Sequence, residues 1–161
     1  MNVVMRKYYF KLSIIIIPYL IFCCILFPQC ATALNDVTSK IVYLGQPFDN
    51  SSYARNVWDM QLYEGRLYLG SGDLVSNTGP VPVISLDPAN GIFKNEYAVD
   101  EEQIDSFEVL DNKLYIPGTD ATESWDYGNY YVLEGSWQKH RTIPRANHVF
   151  DLAYYRGQLY A

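Results

Sequence analysis

A twelve-residue pattern occurs three times in this chain and restricts its fold more than any other feature. The copies occupy residues 57–68, 104–115 and 149–160, align without a gap, and each ends in a Leu-Tyr pair. The leucines of these pairs, Leu67, Leu114 and Leu159, lie 47 and 45 residues apart. A repeat of this length predicts a chain of similar units, each of which buries its faces against its neighbours.

Every copy of the pattern holds a tight turn between two strand-like runs. The dipeptides Glu64-Gly65, Asp111-Asn112 and Arg156-Gly157 fill these turns, and Gly or Asn suits the positive φ angles of two-residue hairpin loops. A polar loop and two more strands follow, predicted at residues 81–86 and 92–99 in one unit and 130–133 and 137–143 in the next. Four strands in a period of this length predict an all-β fold, a β-propeller of four-stranded antiparallel blades.

The repeat also sets the expected boundaries of the units. Full blades are predicted at about residues 56–101 and 103–146, and the start of a further blade at 148–161. Residues 40–44 are predicted to form the outer strand of an earlier blade. Because a propeller ring needs about four to eight blades, we expect an incomplete ring, from a fragment of a longer protein or a truncated gene product.

The first thirty-three residues have the features of an export signal. Arg6, Lys7 and Lys11 form a basic start, residues 12–27 form an apolar run, and Ala31-Thr32-Ala33 offers a cleavage site of small residues. Cleavage after Ala33 predicts a secreted, periplasmic or extracellular protein of residues 34–161. The apolar run is shorter than the roughly twenty residues of a membrane span. An uncleaved membrane anchor is the alternative.

Charge and cysteine content exclude several classes of function. The predicted leader holds three of the twelve basic residues and none of the eighteen acidic ones, so the rest of the chain carries a net charge of −9. This charge argues against binding to nucleic acid. Cys23, Cys24 and Cys30 all lie in the leader, so neither a disulfide nor a cysteine-based metal or catalytic site is expected in residues 34–161.

A resemblance to known repeats appears in two stretches of the first unit. A Gly-x-Leu-Tyr-x-Gly-Ser strand at residues 65–71 leads to a Leu-Asp-x-x-x-Gly hairpin at 86–91. These motifs resemble the blades of quinoprotein-like propellers and, more loosely, Kelch-type blades. The vicinal cysteines common in quinone-dependent dehydrogenases are present only as Cys23-Cys24 in the leader, and the paired glycines of Kelch blades are absent. The resemblance therefore implies a blade, but transfers no catalytic residue and names no cofactor.

The long loops of the predicted blades share one face, and ligand-binding residues concentrate on loops held by a rigid scaffold. The candidate ligand-binding residues there are Trp125, Asp126, Tyr127, Asp73, Asp120, Arg145 and His148. Aromatic rings beside carboxylates can stack on sugars and bind their hydroxyls, although packing between blades is the alternative for such rings. Structural roles are the alternative for His148 and for Asp73 and Asp120, which occupy equivalent positions of the repeat.

Two hypotheses for function follow from these observations. The first is an exported binding or scaffold propeller with a carbohydrate or protein ligand. The second is a propeller enzyme, a quinone-dependent dehydrogenase or a glycan-acting hydrolase or lyase, whose site further blades complete. The sequence identifies no catalytic residue and no metal site, since His140 and His148 lack the spacing of zinc ligands.

Overall fold

The computed structural model describes residues 36–48, 55–73, 75–76 and 78–161. The leader predicted at residues 1–33 lies outside them. The chain divides into two units, Met1–Val42 and Tyr43–Ala161. The described residues of the first unit contain a single 3-10 turn, Thr38–Lys40, and the regular elements described in the second unit are all β-strands. No helix in the described residues is long and apolar enough to cross a membrane.

The outer strand expected at residues 40–44 is not present. The backbone N–H groups of Lys40 and Ile41 donate to the carbonyls of Val37 and Thr38, at 2.8 and 3.2 Å. These short-range bonds close a turn instead of pairing the segment with a neighbouring strand. The prediction was wrong because an apolar run such as this one becomes a strand only where a second strand pairs with it.

The first repeat forms a four-stranded antiparallel sheet in which neighbours in the chain are neighbours in space. Its strands are β1 (Asp59–Tyr63), β2 (Arg66–Gly70), β3 (Val81–Asp87) and β4 (Ile92–Val99). The predicted strands at residues 81–86 and 92–99 are confirmed. Between β3 and β4, Gly91 has φ 71°, which completes the predicted turn.

The second repeat forms an equivalent sheet, whose four strands also lie side by side in chain order. Its strands are β6 (Glu108–Leu110), β7 (Lys113–Pro117), β9 (Tyr127–Glu134) and β10 (Ser136–Pro144). Two short strands that the sequence did not predict, β5 (Glu101–Gln103) and β8 (Thr119–Ala121), pair with each other. The third repeat forms a hairpin of β11 (Ala153–Tyr155) and β12 (Gln158–Tyr160).

The three predicted hairpin turns are confirmed by their backbone angles. Both central residues have positive φ in every case: 47° and 76° at Glu64-Gly65, 48° and 58° at Asp111-Asn112, and 51° and 80° at Arg156-Gly157. Positive φ at both positions is the signature of the type I′ turn, whose twist matches that of the adjoining strands. The repeat therefore encodes the same hairpin three times.

The repeated Leu-Tyr pair helps to join consecutive units. Tyr68 and Leu114 share the core between the two sheets, whereas Tyr115 and Leu159 share the core between the second sheet and the terminal hairpin. Leu67 packs in a third cluster on the other face of the first sheet. Because side chains alternate along a strand, Leu114 and Leu159 face the preceding unit, whereas Tyr68 and Tyr115 face the following one.

Backbone hydrogen bonds join consecutive units in the same way at two places, here called the first joint and the second joint. At the first joint, Ile104 N–H donates to Ser71 O at 2.8 Å and Asp73 N–H donates to Glu102 O at 3.1 Å. The second joint repeats this pattern: Val149 N–H donates to Gly118 O at 2.8 Å and Asp120 N–H donates to Asn147 O at 3.0 Å. Both joints lie at the end of the sheets that carries the long loops.

Candidate ligand-binding surface

The predicted site residues lie on or beside the two joints, at the loop end of the sheets. At the second joint, His148 Nε2 lies 3.0 Å from Asp120 Oδ1, and about a quarter of the His148 side chain is exposed. The ring of Phe150, which is 83% exposed, stacks on His148 with the ring centroids 5.4 Å apart and the planes inclined by 11°. A solvent-facing imidazole is thereby held between a carboxylate and an aromatic ring.

A buried carboxyl group connects the two joints electrostatically. Burial raises the pKa of Glu102, and the carboxylates of Asp120 and Asp73 raise it further, while His148 lowers it. Asp73 and Asp120 therefore act on the same group, although they belong to different units. The surface at the joints is acidic, because three carboxyl groups lie close to His148.

The remaining role of Asp73 is local. Asp73 Oδ1 accepts the N–H of Val75 at 2.9 Å, and this bond lowers the pKa of Asp73. Such a contact between a side chain and the backbone two residues later is an Asx turn, which shapes a loop. This contact supports the structural role that was the alternative for Asp73. Asp120, at the equivalent position, pairs with His148 instead.

The loop containing Trp125, Asp126 and Tyr127 presents two aromatic rings to solvent. Trp125 is 58% exposed and Tyr127 is 46% exposed. Packing between the units, which was the alternative for such rings, is performed by other aromatics, including Tyr68 and Trp137. The two exposed rings are therefore available to contact a ligand.

This exposed loop is fastened to strands β10 and β8 by hydrogen bonds. Arg141 donates to the carbonyls of Tyr127 and Ser124, at 2.8 and 2.7 Å. Trp125 Nε1 donates to the carbonyl of Ala121 at 3.2 Å. Sequence reasoning did not identify Arg141, because only the fold brings strand β10 beside this loop. A loop held in this way loses little conformational entropy when it binds a ligand.

Arg145 joins the loop to the second joint through its backbone. Its N–H donates to the carbonyl of Asp126 at 2.8 Å, and its φ of 59° turns the chain from strand β10 towards the joint. Asp126 also accepts a hydrogen bond from the Ser124 hydroxyl at 3.1 Å. The predicted residues thus form two adjacent groups, the loop and the joints.

The segment that connects the two four-stranded sheets is buried. Glu101, Glu102 and Gln103 are 0%, 5% and 3% exposed. Glu101 Oε1 accepts hydrogen bonds from Asn129 Nδ2 at 2.6 Å and from the Tyr131 hydroxyl at 2.9 Å. Burial raises the pKa of Glu101 despite these two donors. No sequence signal marked this cluster, because its partners lie 28 and 30 residues away.

Two further observations concern metal ligands and a cavity in the described residues. No three His, Cys, Asp or Glu side chains in the described part of the chain come together in a way that would hold a metal ion. A cavity of about 470 Å³ lies on the other face of the first sheet, where Phe48, Ile84 and Phe93 contribute to its walls. None of the seven predicted site residues lines it.

Comparison of the chain with models of protein families, with curated proteins and with solved structures found no match in any of the three. The structure itself therefore establishes the architecture: an all-β fold whose first two repeats form antiparallel four-stranded sheets, an arrangement compatible with blade repeats.

Proposed function

We propose that this chain forms part of an exported β-propeller that acts as a binding or scaffold module, with a carbohydrate or protein ligand at the loop end of its sheets. The observation that carries the architectural part is the pair of equivalent joints, in which the same four backbone positions bond in both places. Equivalent joints are expected where the same unit repeats around a ring, as the blades of a propeller do. Export is proposed from the basic and apolar pattern of residues 1–33.

The observation that carries the binding part is the fastened loop with its two exposed rings. The faces of Trp125 and Tyr127 can stack on the apolar face of a sugar or on an aromatic side chain of a protein. Polar groups for hydroxyl recognition stand beside them on Asp126 and Arg141. Since Arg141 already holds the loop, most of the entropic cost of ordering the site is met before the ligand arrives.

A matched pair of tyrosines allows this proposal to be tested. Tyr127 is 46% exposed with the Arg141 guanidinium 6.0 Å from its ring centroid, and Tyr155 is 58% exposed with Arg156 at 5.0 Å. Tyr155 lies in the terminal hairpin, next to the turn at the opposite end of the strands. We expect Tyr127→Ala to weaken binding of an oligosaccharide or protein found by array screening by about tenfold. Tyr155→Ala should leave this affinity unchanged.

Calorimetric titration of wild type and both variants provides the measurement. Equal losses of affinity in the two variants would place the ligand elsewhere or make the effect one of general stability. Failure of every oligosaccharide and protein on the arrays to bind would contradict the binding proposal as a whole.

A glycan-acting enzyme is the second candidate, and the pairing of His148 with Asp120 favours it. A histidine oriented by a carboxylate is the arrangement that general acid-base catalysis requires. Release of new reducing or unsaturated sugar ends from a glycan, lost in His148→Ala and kept in Tyr155→Ala, would establish this reading. Binding without turnover would establish the first.

A further inference from the structure

Three oxygen atoms between the two sheets are buried and accept no hydrogen bond from the described part of the chain. They are Glu101 Oε2, Gln103 Oε1 and Asn129 Oδ1. The three residues are at most 3% exposed. Each such oxygen costs free energy unless something supplies a donor or a positive charge.

Two of the three residues are in direct contact, and the third lies two positions further along strand β5. Asn129 donates to Glu101 at 2.6 Å, and Glu101 and Gln103 leave strand β5 on the same side because side chains alternate along a strand. Glycines allow the backbone to approach closely at two of these positions. A Cβ atom on Gly72 would lie 2.0 Å from Gln103 Cβ, and one on Gly118 would lie 2.6 Å from Asn129 O.

In Glu101, Gln103 and Asn129, the buried side-chain atoms left unmatched are all acceptor oxygens. The Asn129 amide nitrogen is already used, since it donates to Glu101 Oε1. Reversing the amide to turn its nitrogen towards another acceptor would break that bond and place two oxygens against each other. Reversal of the Asn129 amide therefore does not supply the missing donor.

The cationic side chain that acts on Glu101 is already paired with other carboxylates. Lys139 Nζ lies 2.8 Å from Asp100 Oδ2 and also pairs with Glu123. Lys139 lowers the pKa of Glu101, but burial outweighs this effect and the pKa is raised. An ionised Glu101 thus lacks an ion-pair partner of its own.

We infer that Glu101 Oε2, Asn129 Oδ1 and Gln103 Oε1 bind a small alkali cation, Na⁺ or K⁺, between the two sheets. Oxygen ligands from one carboxylate and two amides suit a hard cation. The site supplies a single negative charge, so a monovalent ion leaves it neutral, whereas a divalent ion would leave a buried positive charge. The ion would join strand β5 of the first joint to strand β9 of the second sheet.

Thermal unfolding of the full chain in different salts tests this inference. The salts are sodium, potassium and choline chloride at equal ionic strength and a pH of about 8, because choline screens charge but is too large for a buried site. We expect Na⁺ or K⁺ to raise the unfolding midpoint by about 5 °C over choline, and the better of the two identifies the ion. Glu101→Gln, which keeps the shape and removes the charge, should abolish the difference.

Glu134→Gln is the matched control. Glu134 is a carboxylate with a 46% exposed side chain that pairs with Lys113 at the turn end of the sheet, so its removal should leave the difference between salts intact. If Glu101→Gln fails to fold, Gln103→Leu provides a second test. It removes one ligand oxygen without a change of charge and should reduce the difference in unfolding midpoint between the salts. Equal wild-type midpoints in the three salts, with stability that rises as the pH falls, would overturn the inference in favour of a protonated Glu101.

Discussion

Removing one hydroxyl group at Tyr131 tests how the two sheets are joined. Tyr131 is completely buried, and its hydroxyl accepts the N–H of Asp100 at 2.9 Å and donates to Glu101 Oε1 at 2.9 Å. Asp100 and Glu101 lie in the connection between the sheets, and Tyr131 lies on strand β9 of the second sheet. Tyr131→Phe keeps the ring and deletes both bonds.

The expected loss follows from these two contacts. A hydrogen bond to a charged carboxylate contributes about 1.5–3 kcal/mol, and a buried N–H left without a partner costs about 1–3 kcal/mol. Asn129 still donates to Glu101 in the variant, so the carboxylate keeps one hydrogen-bond donor. We therefore take values from the lower part of both energy ranges. We therefore expect Tyr131→Phe to lower the free energy of unfolding by about 3 kcal/mol.

Urea unfolding followed by tryptophan fluorescence measures this loss. Trp137 reports on the same core, because its ring lies edge-on to Tyr68 with centroids 6.1 Å apart and is 8% exposed. Tyr130→Phe is the control: Tyr130 precedes Tyr131 in strand β9 and stacks on His140 at 4.7 Å. A loss in Tyr131→Phe no larger than in Tyr130→Phe would refute the role of the hydroxyl in joining the sheets.

Two further predictions concern contacts between consecutive units. Gly72→Ala should cost about 3 kcal/mol, because the new Cβ would lie 2.0 Å from Gln103 Cβ; Gly135→Ala, which meets no atom within 4 Å but has φ 71°, should cost only about 1 kcal/mol. Equal costs in urea unfolding would contradict the close approach. Glu108 accepts the N–H of Leu152 at 3.1 Å, and burial raises its pKa to about 7. The folded state thus favours the protonated form, so its stabilising effect should be complete below the unfolded pKa of about 4.5 and lost as the pH rises through about 7. Glu108→Gln should flatten this part of the stability profile, and an unchanged profile would refute the assignment.

The candidate surface was only partly predictable from sequence. The loop end could be located in advance, because the short turns and the long connections alternate in each repeat. The pairing of His148 with Asp120 could not, because those residues are 28 positions apart and meet only after strands of different units bond. The exposure of Trp125 likewise depends on Arg141, which holds the loop against strand β10.

Local chemistry was sufficient for the repeating part of the fold. The Leu-Tyr pairs and the dipeptides with positive φ determine alternating strands and type I′ turns, since both depend on residues close together in the chain. The apolar run at residues 40–44 showed the limit of this reasoning, because it forms no strand in the structure.

The tertiary structure alone decided what happens between the units. Strand β5 exists because β8 and Gly72 bond to either side of it, and this pairing converts a run of polar residues, Glu101, Glu102 and Gln103, into a buried strand. Composition alone would place these charged and amide side chains in solvent. Their burial depends on partners such as Tyr131 and Asn129, which are distant in sequence. A local sequence pattern cannot identify such partners.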